Sequence, residues 1–250
     1  MNNKAVISHI VNWMKKYIDD SSGCISTLVV GVSGGIDSAV VSKLCAISGI
    51  KTIVLTLPIK SSDIELSLNH CHQLTKDHDN VTHFKLELTD TFNLFKNTCD
   101  SHGFSSELGL ANTKARIRMI TLYQVASSES GIVVGTGNKV EDFGVGFYTK
   151  YGDGGVDISP IADLTKSEVR SIAEELKIMR EIIVAPPTDG LWEDGRNDED
   201  QLGLTYEEIE KAMSDSSNEN HSLYTSIREK NLHKMLPIPV CIIDDKIKYD

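Results

Sequence analysis

Where the run Leu28-Val29-Val30-Gly31-Val32 ends, the chain reads Ser33-Gly34-Gly35-Ile36-Asp37-Ser38 and at once takes up a helical pattern. Glycines at such a strand-to-helix turn let the backbone bend sharply and approach a ligand, and the N–H groups of the first helical turn can donate to phosphate oxygens. Ser33 and Ser38 add hydroxyls, and Asp37 places a carboxylate where a phosphate-bound Mg²⁺ can be held. The combination is a phosphate site with a metal handle. It spells neither G-x-x-x-x-G-K-[ST] nor G-x-G-x-x-G, which counts against a Walker-type NTPase and a dinucleotide dehydrogenase. The competing reading is a tight turn whose Ser and Asp cap a helix. Glu141 follows the apolar run that ends at Gly135. It could join Asp37 as a second carboxylate on the metal, or serve only as a helix-start residue favoured by the dipole.

Those side chains need a scaffold, and hydrophobic periodicity supplies its outline. Residues 25–32, 52–57, 83–88 and 131–135 read as strands, with helical stretches between them. Strands apolar on both faces and separated by helices indicate an α/β fold, a doubly wound parallel sheet flanked by helices in a single domain. Val6, Ile10, Trp13 and Tyr17 predict one apolar stripe on an opening helix, so residues 1–24 form an N-terminal helix and 25–250 the core, with a C-terminal helical segment. Leu108, Ala111, Ala115, Met119, Leu122 and Ala126 step by three or four, which predicts a long helix. Thr136 to Pro160 has neither periodicity, and a loop this long in a compact domain is usually functional. Helical patterns return at Lys166 to Ile178 and Tyr206 to Met213, separated by Pro186-Pro187 and an acidic stretch, Glu193 to Asp200, that reads as a solvated loop. His70-Cys71-His72 looks like a ligand cluster, but residues i and i+2 of a helix point to different sides.

Composition removes other classes. With 25 Lys and Arg against 36 Asp and Glu the formal charge is −11, which argues against a nucleic-acid partner but leaves room for a local basic pocket. Cys24, Cys45, Cys71, Cys99 and Cys241 are odd in number and never arranged C-x-x-C, so no disulfide framework or zinc ribbon is suggested and a reducing compartment fits. The N-terminus lacks a signal-peptide pattern and no run of about 18 residues is apolar, so the expectation is a cytoplasmic protein without a membrane partner.

The Ser33–Ser38 spelling, straight after its strand, resembles the pyrophosphate loop of the ATP pyrophosphatases, which split ATP between the α and β phosphates and use AMP to activate a carboxyl or carbonyl oxygen. Further motifs narrow the resemblance. Gly135-Thr136-Gly137-Asn138-Lys139-Val140-Glu141-Asp142, Thr149-Lys150-Tyr151-Gly152-Asp153-Gly154-Gly155-Val156-Asp157, Asn112 to Arg116, Leu164-Thr165-Lys166, Pro187 to Trp192 and Leu232-His233-Lys234 together resemble the ammonia-dependent NAD synthetase family.

The resemblance implies an adenine nucleotide alpha-hydrolase-like fold and a division of labour among residues. Gly31, Val32, Ser33, Gly34, Gly35, Ile36, Asp37, Ser38, Thr136, Lys166 and Thr188 match ATP-contacting positions, and Asp37 and Glu141 match those that hold Mg²⁺. Arg116, Lys150, Asp157, His233 and Lys234 match contacts to deamido-NAD, the deamidated dinucleotide. A lysine near the triphosphate would offset charge building on the departing pyrophosphate, although Lys166 alone would read as an exposed helix-start residue. Asp153 is a candidate for guiding ammonium or its proton, with a glycine-turn aspartate as the competing reading. Met235 stands where relatives commonly carry another basic residue.

The implied reaction has two steps. The nicotinate carboxylate attacks the α-phosphate of ATP and expels pyrophosphate; ammonia then displaces AMP and leaves the carboxamide of NAD. The protein aligns, neutralises charge and excludes water, so no nucleophilic side chain is needed. Glutamine-dependent relatives carry an extra amidohydrolase domain for which this length leaves no room, so free ammonia is the expected donor. Family members are homodimers with the dinucleotide near the interface, and the same is expected here. The alternatives are another adenylating or tRNA-modifying member of the superfamily, or a silent nucleotide sensor, against which Asp37, Glu141 and Lys166 count.

Overall fold

Helix α1 (Asn3–Asp20) starts where the Asn2 side chain accepts from the amide of Ala5, and it buries Ile10, Val11 and Met14. The predicted stripe is therefore rotated. Trp13 and Tyr17 are each 40% exposed and pack on one another with ring centroids 6.1 Å apart. The narrower seam of Ile10, Val11 and Met14 enters the core instead, where an unbranched thioether fills irregular space that an indole cannot. The computed structural model describes residues 1–60, 64–186 and 197–249.

Alternating elements follow: β1 (Thr27–Gly31), α2 (Ile36–Ser48), β2 (Lys51–Thr56), α3 (Glu65–Asp77), β3 (Val81–Lys85), α4 (Thr89–Asp100), α5 (Glu107–Ser128) and β4 (Gly131–Val133). The four strands pair in parallel in the order β3-β2-β1-β4, as the doubly wound prediction requires. Successive strand side chains point to opposite faces. Leu28 and Val30 thus share a core with Met14, Val40 and Leu44, while Val29 joins Ile53, Phe92 and Ile117 on the other face. From β1 the chain moves outward to β2 and β3, then returns to β4 on the other flank of β1. A crevice therefore opens beyond the carboxyl ends of β1 and β4, the usual ligand position in such sheets.

Within α5, Ala111, Ala115 and Ala126 are buried as the predicted long helix implies and Met119 and Leu122 partly so, but Leu108 is 61% exposed at its first turn and Ile117, outside the predicted stripe, is buried as well. His70 is buried and His72 exposed, so the two imidazoles point apart.

Beyond β4 the chain departs from the expected loop. Lys139–Val145 forms a π-helical segment, capped by the Asn138 side chain, which accepts from the amides of Val140 and Glu141. Such widened turns are rare and concentrate at functional sites, and a single one leaves no 3.6-residue pattern to read. The remaining helices are α6 (Lys166–Glu175), α7 (Arg180–Ile183), α8 (Asp198–Leu202), α9 (Tyr206–Ser214), α10 (His221–Met235) and α11 (Asp245–Tyr249). Reciprocal capping boxes, Thr165 with Glu168 and Thr205 with Glu208, fix where α6 and α9 begin. A third core of Val140, Val145, Leu202, Leu204, Tyr206 and Ile209 packs the π-helical segment against the C-terminal helices. No helix among the described residues is long and apolar enough to cross a membrane.

Candidate active site

The crevice predicted by strand order is a cleft of about 570 Å³. Its walls include all eight residues from Gly31 to Ser38, together with Thr136, Glu141, Asp153 and Lys166. The glycine turn is held by its own serines. The Ser33 amide donates to Ser38 Oγ at 3.2 Å, the Gly35 amide to Ser33 Oγ at 3.2 Å, and Ser38 Oγ donates to the Gly35 carbonyl at 2.9 Å. Gly34 has φ of +93°, and a Cβ there would lie 3.2 Å from the amide of Ser67, so backbone strain and close approach both call for glycine. No side chain caps α2 at Gly35, which leaves its first-turn amides open to an anion.

Lys166, the first residue of α6, is only 3% exposed. A cation at a helix N-terminus opposes the dipole, and the compensation comes from two carboxylates. Its Nζ lies 2.6 Å from Asp37 Oδ2 and 2.9 Å from Glu141 Oε1, residues 129 and 25 positions away in the chain. Burial would lower the Lys166 pKa, but these two charges and their hydrogen bonds hold it above the ordinary lysine range. For Asp37, burial and then the nearby Glu141 outweigh Lys166 and push the carboxyl up. For Glu141, burial is outweighed by Lys166 and by hydrogen bonds, and the carboxyl sits below its ordinary value. Two carboxylates and one ammonium leave this centre one negative charge in excess.

Several residues that sequence patterns did not single out complete it. Asn138, fully buried, donates from Nδ2 to Asp37 Oδ1 at 3.2 Å while its oxygen caps the π-helical segment. Its position as an Asn before a helix start was the available signal. Tyr206 Oη donates to Glu141 Oε1 at 2.5 Å. The wide turn also lets consecutive residues Glu141 and Asp142 both line the cleft, and a Cβ at Gly137 would collide with the Asp142 carboxylate. Burial, then Glu141 and Asp153, push Asp142 well above the usual carboxylate range. Arg118 and Arg170 also line the cleft.

Asp153 accepts the amide of Thr149 at 2.9 Å from within the cleft, and the scarcity of water around it raises its carboxyl. The predicted dinucleotide residues are spread along the rim and outside the cleft lining. Arg116 donates to the Lys150 carbonyl at 3.3 Å, Lys150 Nζ to the His233 carbonyl at 3.1 Å, and Lys234 Nζ to the Tyr148 carbonyl at 2.8 Å. Four of the five are thereby linked around one loop. Asp157 stands apart: its carboxylate accepts from the Val133 amide at 2.7 Å and from Tyr123 Oη at 3.0 Å, bonds that hold β4. Thr188 lies outside the described residues, as do residues 193–196 of the acidic stretch. The rest of that stretch is not the expected solvated loop: Asp198 opens α8, is 6% exposed and lines the cleft, because the helix packs into the C-terminal core.

Comparison with known proteins gives one consistent family. Residues 6–243 match the NAD synthase family model. The chain is 38% identical over 238 residues to an NH(3)-dependent NAD(+) synthetase of Mesoplasma florum, covering 94% of this chain and 93% of that protein. Among solved structures, NMN synthetase from Francisella tularensis superposes with a TM-score of 0.85 at 28% identity, over 98% of this chain and 99% of the other. An NH3-dependent NAD synthetase from Campylobacter jejuni, 24% identical, shares the fold with a TM-score of 0.77, over 97% and 100% of the two chains.

Proposed function

The chain belongs to the NAD synthase family, and on that premise we propose that its cleft adenylates the nicotinate carboxylate of deamido-NAD with ATP and then amidates it with ammonia, giving NAD, AMP and pyrophosphate in the last step of NAD biosynthesis. The observation that carries this reading is the convergence of Asp37 and Glu141 on one cation at the mouth of the glycine turn.

Two carboxylates that share an ammonium have the spacing to share a divalent ion. Among the described residues no group of three or more His, Cys, Asp or Glu converges, so the protein offers few ligands and leaves the rest to phosphate oxygens and water. That donor set suits Mg²⁺, which keeps several waters and takes one or two carboxylates. When bound there, Mg²⁺ supplies neutralisation of the triphosphate charge. In this reading the open amides at the start of α2 and the hydroxyls of Ser33 and Ser38 grip the β and γ phosphates. The Lys166 ammonium answers the charge that develops on the bridging oxygen as the bond to the α-phosphorus breaks. Asp153, with its raised carboxyl, receives the proton that ammonium must lose before nitrogen attacks the acyl carbon. Arg116, Lys150, His233 and Lys234 meet the dinucleotide at the rim, where the arginine fork suits a carboxylate or phosphate.

The homodimer belongs to the same proposal. Leu94 and Phe95 on α4, Phe104 after it, and Leu108 and Ile120 on α5 are large, apolar and exposed, which supports a second copy covering these neighbouring helices.

The direct test incubates the purified protein with ATP, Mg²⁺, ammonium and deamido-NAD and resolves the nucleotides. NAD and AMP in equal amounts are expected, whereas ADP or an absence of turnover overturns the reading. The likeness to the Francisella NMN synthetase favours one second reading, in which the acceptor is the nicotinate mononucleotide. A parallel reaction with that acid separates the two by the ratio of kcat/KM.

A further inference from the structure

We infer that Tyr206 is a positioning residue for Glu141, its phenol fixing which carboxylate oxygen is left to meet the metal. The inference rests on the reading of Asp37 and Glu141 as metal ligands. Tyr206 belongs to none of the motifs that carry the chemistry, and lies 65 residues beyond Glu141. It is 1% exposed and among the largest fully buried side chains of the molecule. Phenylalanine would fill the same apolar space, so packing alone does not account for a hydroxyl that costs free energy to bury.

The hydroxyl has one proton to give, and geometry assigns it. Glu141 Oε1 lies at 2.5 Å, while Asp198 Oδ2, the other carboxylate oxygen bonded to it, is at 3.3 Å. Lys166 grips the same Glu141 oxygen from another direction and lies over the Tyr206 ring, 4.8 Å from its centroid. Two donors on Oε1 orient the carboxylate and leave Oε2 for a cation. Tyr206 is itself held. It opens α9, its amide donates to Glu199 Oε1 at 3.0 Å, and the Thr205–Glu208 capping box fixes the helix start beside it. The C-terminal core thus reaches into the site through this hydrogen bond, a relation typical of the outer groups that orient metal-binding carboxylates.

The test compares wild type with Tyr206→Phe, Glu141→Gln and Leu204→Ala. Leu204 shares the apolar cluster of Tyr206 and carries no polar group. Each protein is saturated with α,β-methylene-ATP and titrated with Mn²⁺, with water-proton relaxation reporting bound metal, below the lowest unfolding midpoint of the set. Tyr206→Phe is expected to weaken Mn²⁺ about tenfold and to raise the Mg²⁺ needed for half-maximal turnover by a similar factor. Glu141→Gln is expected to weaken Mn²⁺ at least as much, and Leu204→Ala to lower the unfolding midpoint while binding Mn²⁺ like wild type. If Glu141→Gln weakens the metal and Tyr206→Phe does not, the positioning role fails while the metal reading stands. If Glu141→Gln binds Mn²⁺ normally, both fail. Equal weakening by Leu204→Ala and Tyr206→Phe also overturns the inference, since packing would then explain the effect.

Discussion

The floor of the cleft and its rim are built on different principles. At the floor, Asp37, Glu141, Lys166, Asn138 and Tyr206 are buried or nearly so, and each side chain is bonded to another from a distant part of the chain. At the rim, Arg116, Lys150 and Lys234 donate to backbone carbonyls, Arg116 exposed and the two lysines only partly buried. A buried, cross-linked ionic centre is rigid and strongly felt because little solvent screens it. A long cation resting on a carbonyl can turn to a better acceptor at small cost. The difference teaches that the end proposed for phosphoryl chemistry is assembled beforehand, whereas the end proposed for dinucleotide recognition is left adaptable.

Breaking the floor should therefore cost far more than breaking the rim. Lys166→Met is expected to lower kcat roughly 10³-fold, in line with removing a charge-stabilising donor, and rapid-quench measurement of AMP formation checks it. A loss below tenfold would show that the floor is not where charge develops. Asp37→Asn comes next, with a drop of about 100-fold at limiting Mg²⁺ that excess metal partly restores. Unchanged activity at limiting Mg²⁺ would remove Asp37 from the metal. At the rim, Arg116→Gln is expected to raise KM for deamido-NAD about tenfold, the worth of one charged contact, with kcat and the KM for ATP within about twofold. A fall in kcat instead would erase the distinction between the two regions.

The smallest effect on turnover is expected behind the floor, where His70 packs against α2 with Nε2 2.9 Å from Ser42 Oγ and bears on stability instead. Burial, and then Lys43, lower its pKa from 6.5 to about 4. Because the unfolded chain takes up this proton more readily, the contribution is fully present above about pH 6.5 and is lost as pH falls towards 4. It amounts to about 3 kcal/mol. Urea unfolding between pH 7 and 4 should show a shallower loss in His70→Gln than in wild type, and parallel curves would exclude the histidine.

Much of the fold was legible because strands buried on both faces leave continuous apolar runs, as in residues 28–32 and 52–57. Errors arose where the pattern underdetermines the docking angle. Trp13 and Tyr17 fit a stripe as well as Met14 does, and only contact with neighbouring helices selects the face. The π-helical segment escaped because one wide turn has no period. The site was legible where chemistry is local, in the Gly31–Ser38 turn, and less so where a partner comes from afar. Tyr206 looks like an ordinary apolar helix residue until its hydroxyl is seen to touch Glu141. Asp157, read from its loop motif as a dinucleotide contact, is bonded to the Val133 amide and Tyr123.

The amino-acid sequence by itself determined the α/β alternation, the glycine turn with its open helix start, and the set of acidic and basic residues available for nucleotide chemistry. These follow from local sterics and periodicity, which act over a few residues. Only the tertiary structure decided that Asp37, Glu141 and Lys166 meet at one point, that the Tyr206 hydroxyl reaches that meeting, and that Arg116, Lys150, His233 and Lys234 from three parts of the chain are linked while Asp157 bonds to β4 and Tyr123 instead. Those outcomes depend on how β1, β4, α6 and α9 dock, and separations of 129 and 65 residues carry no distance until the core between them has packed.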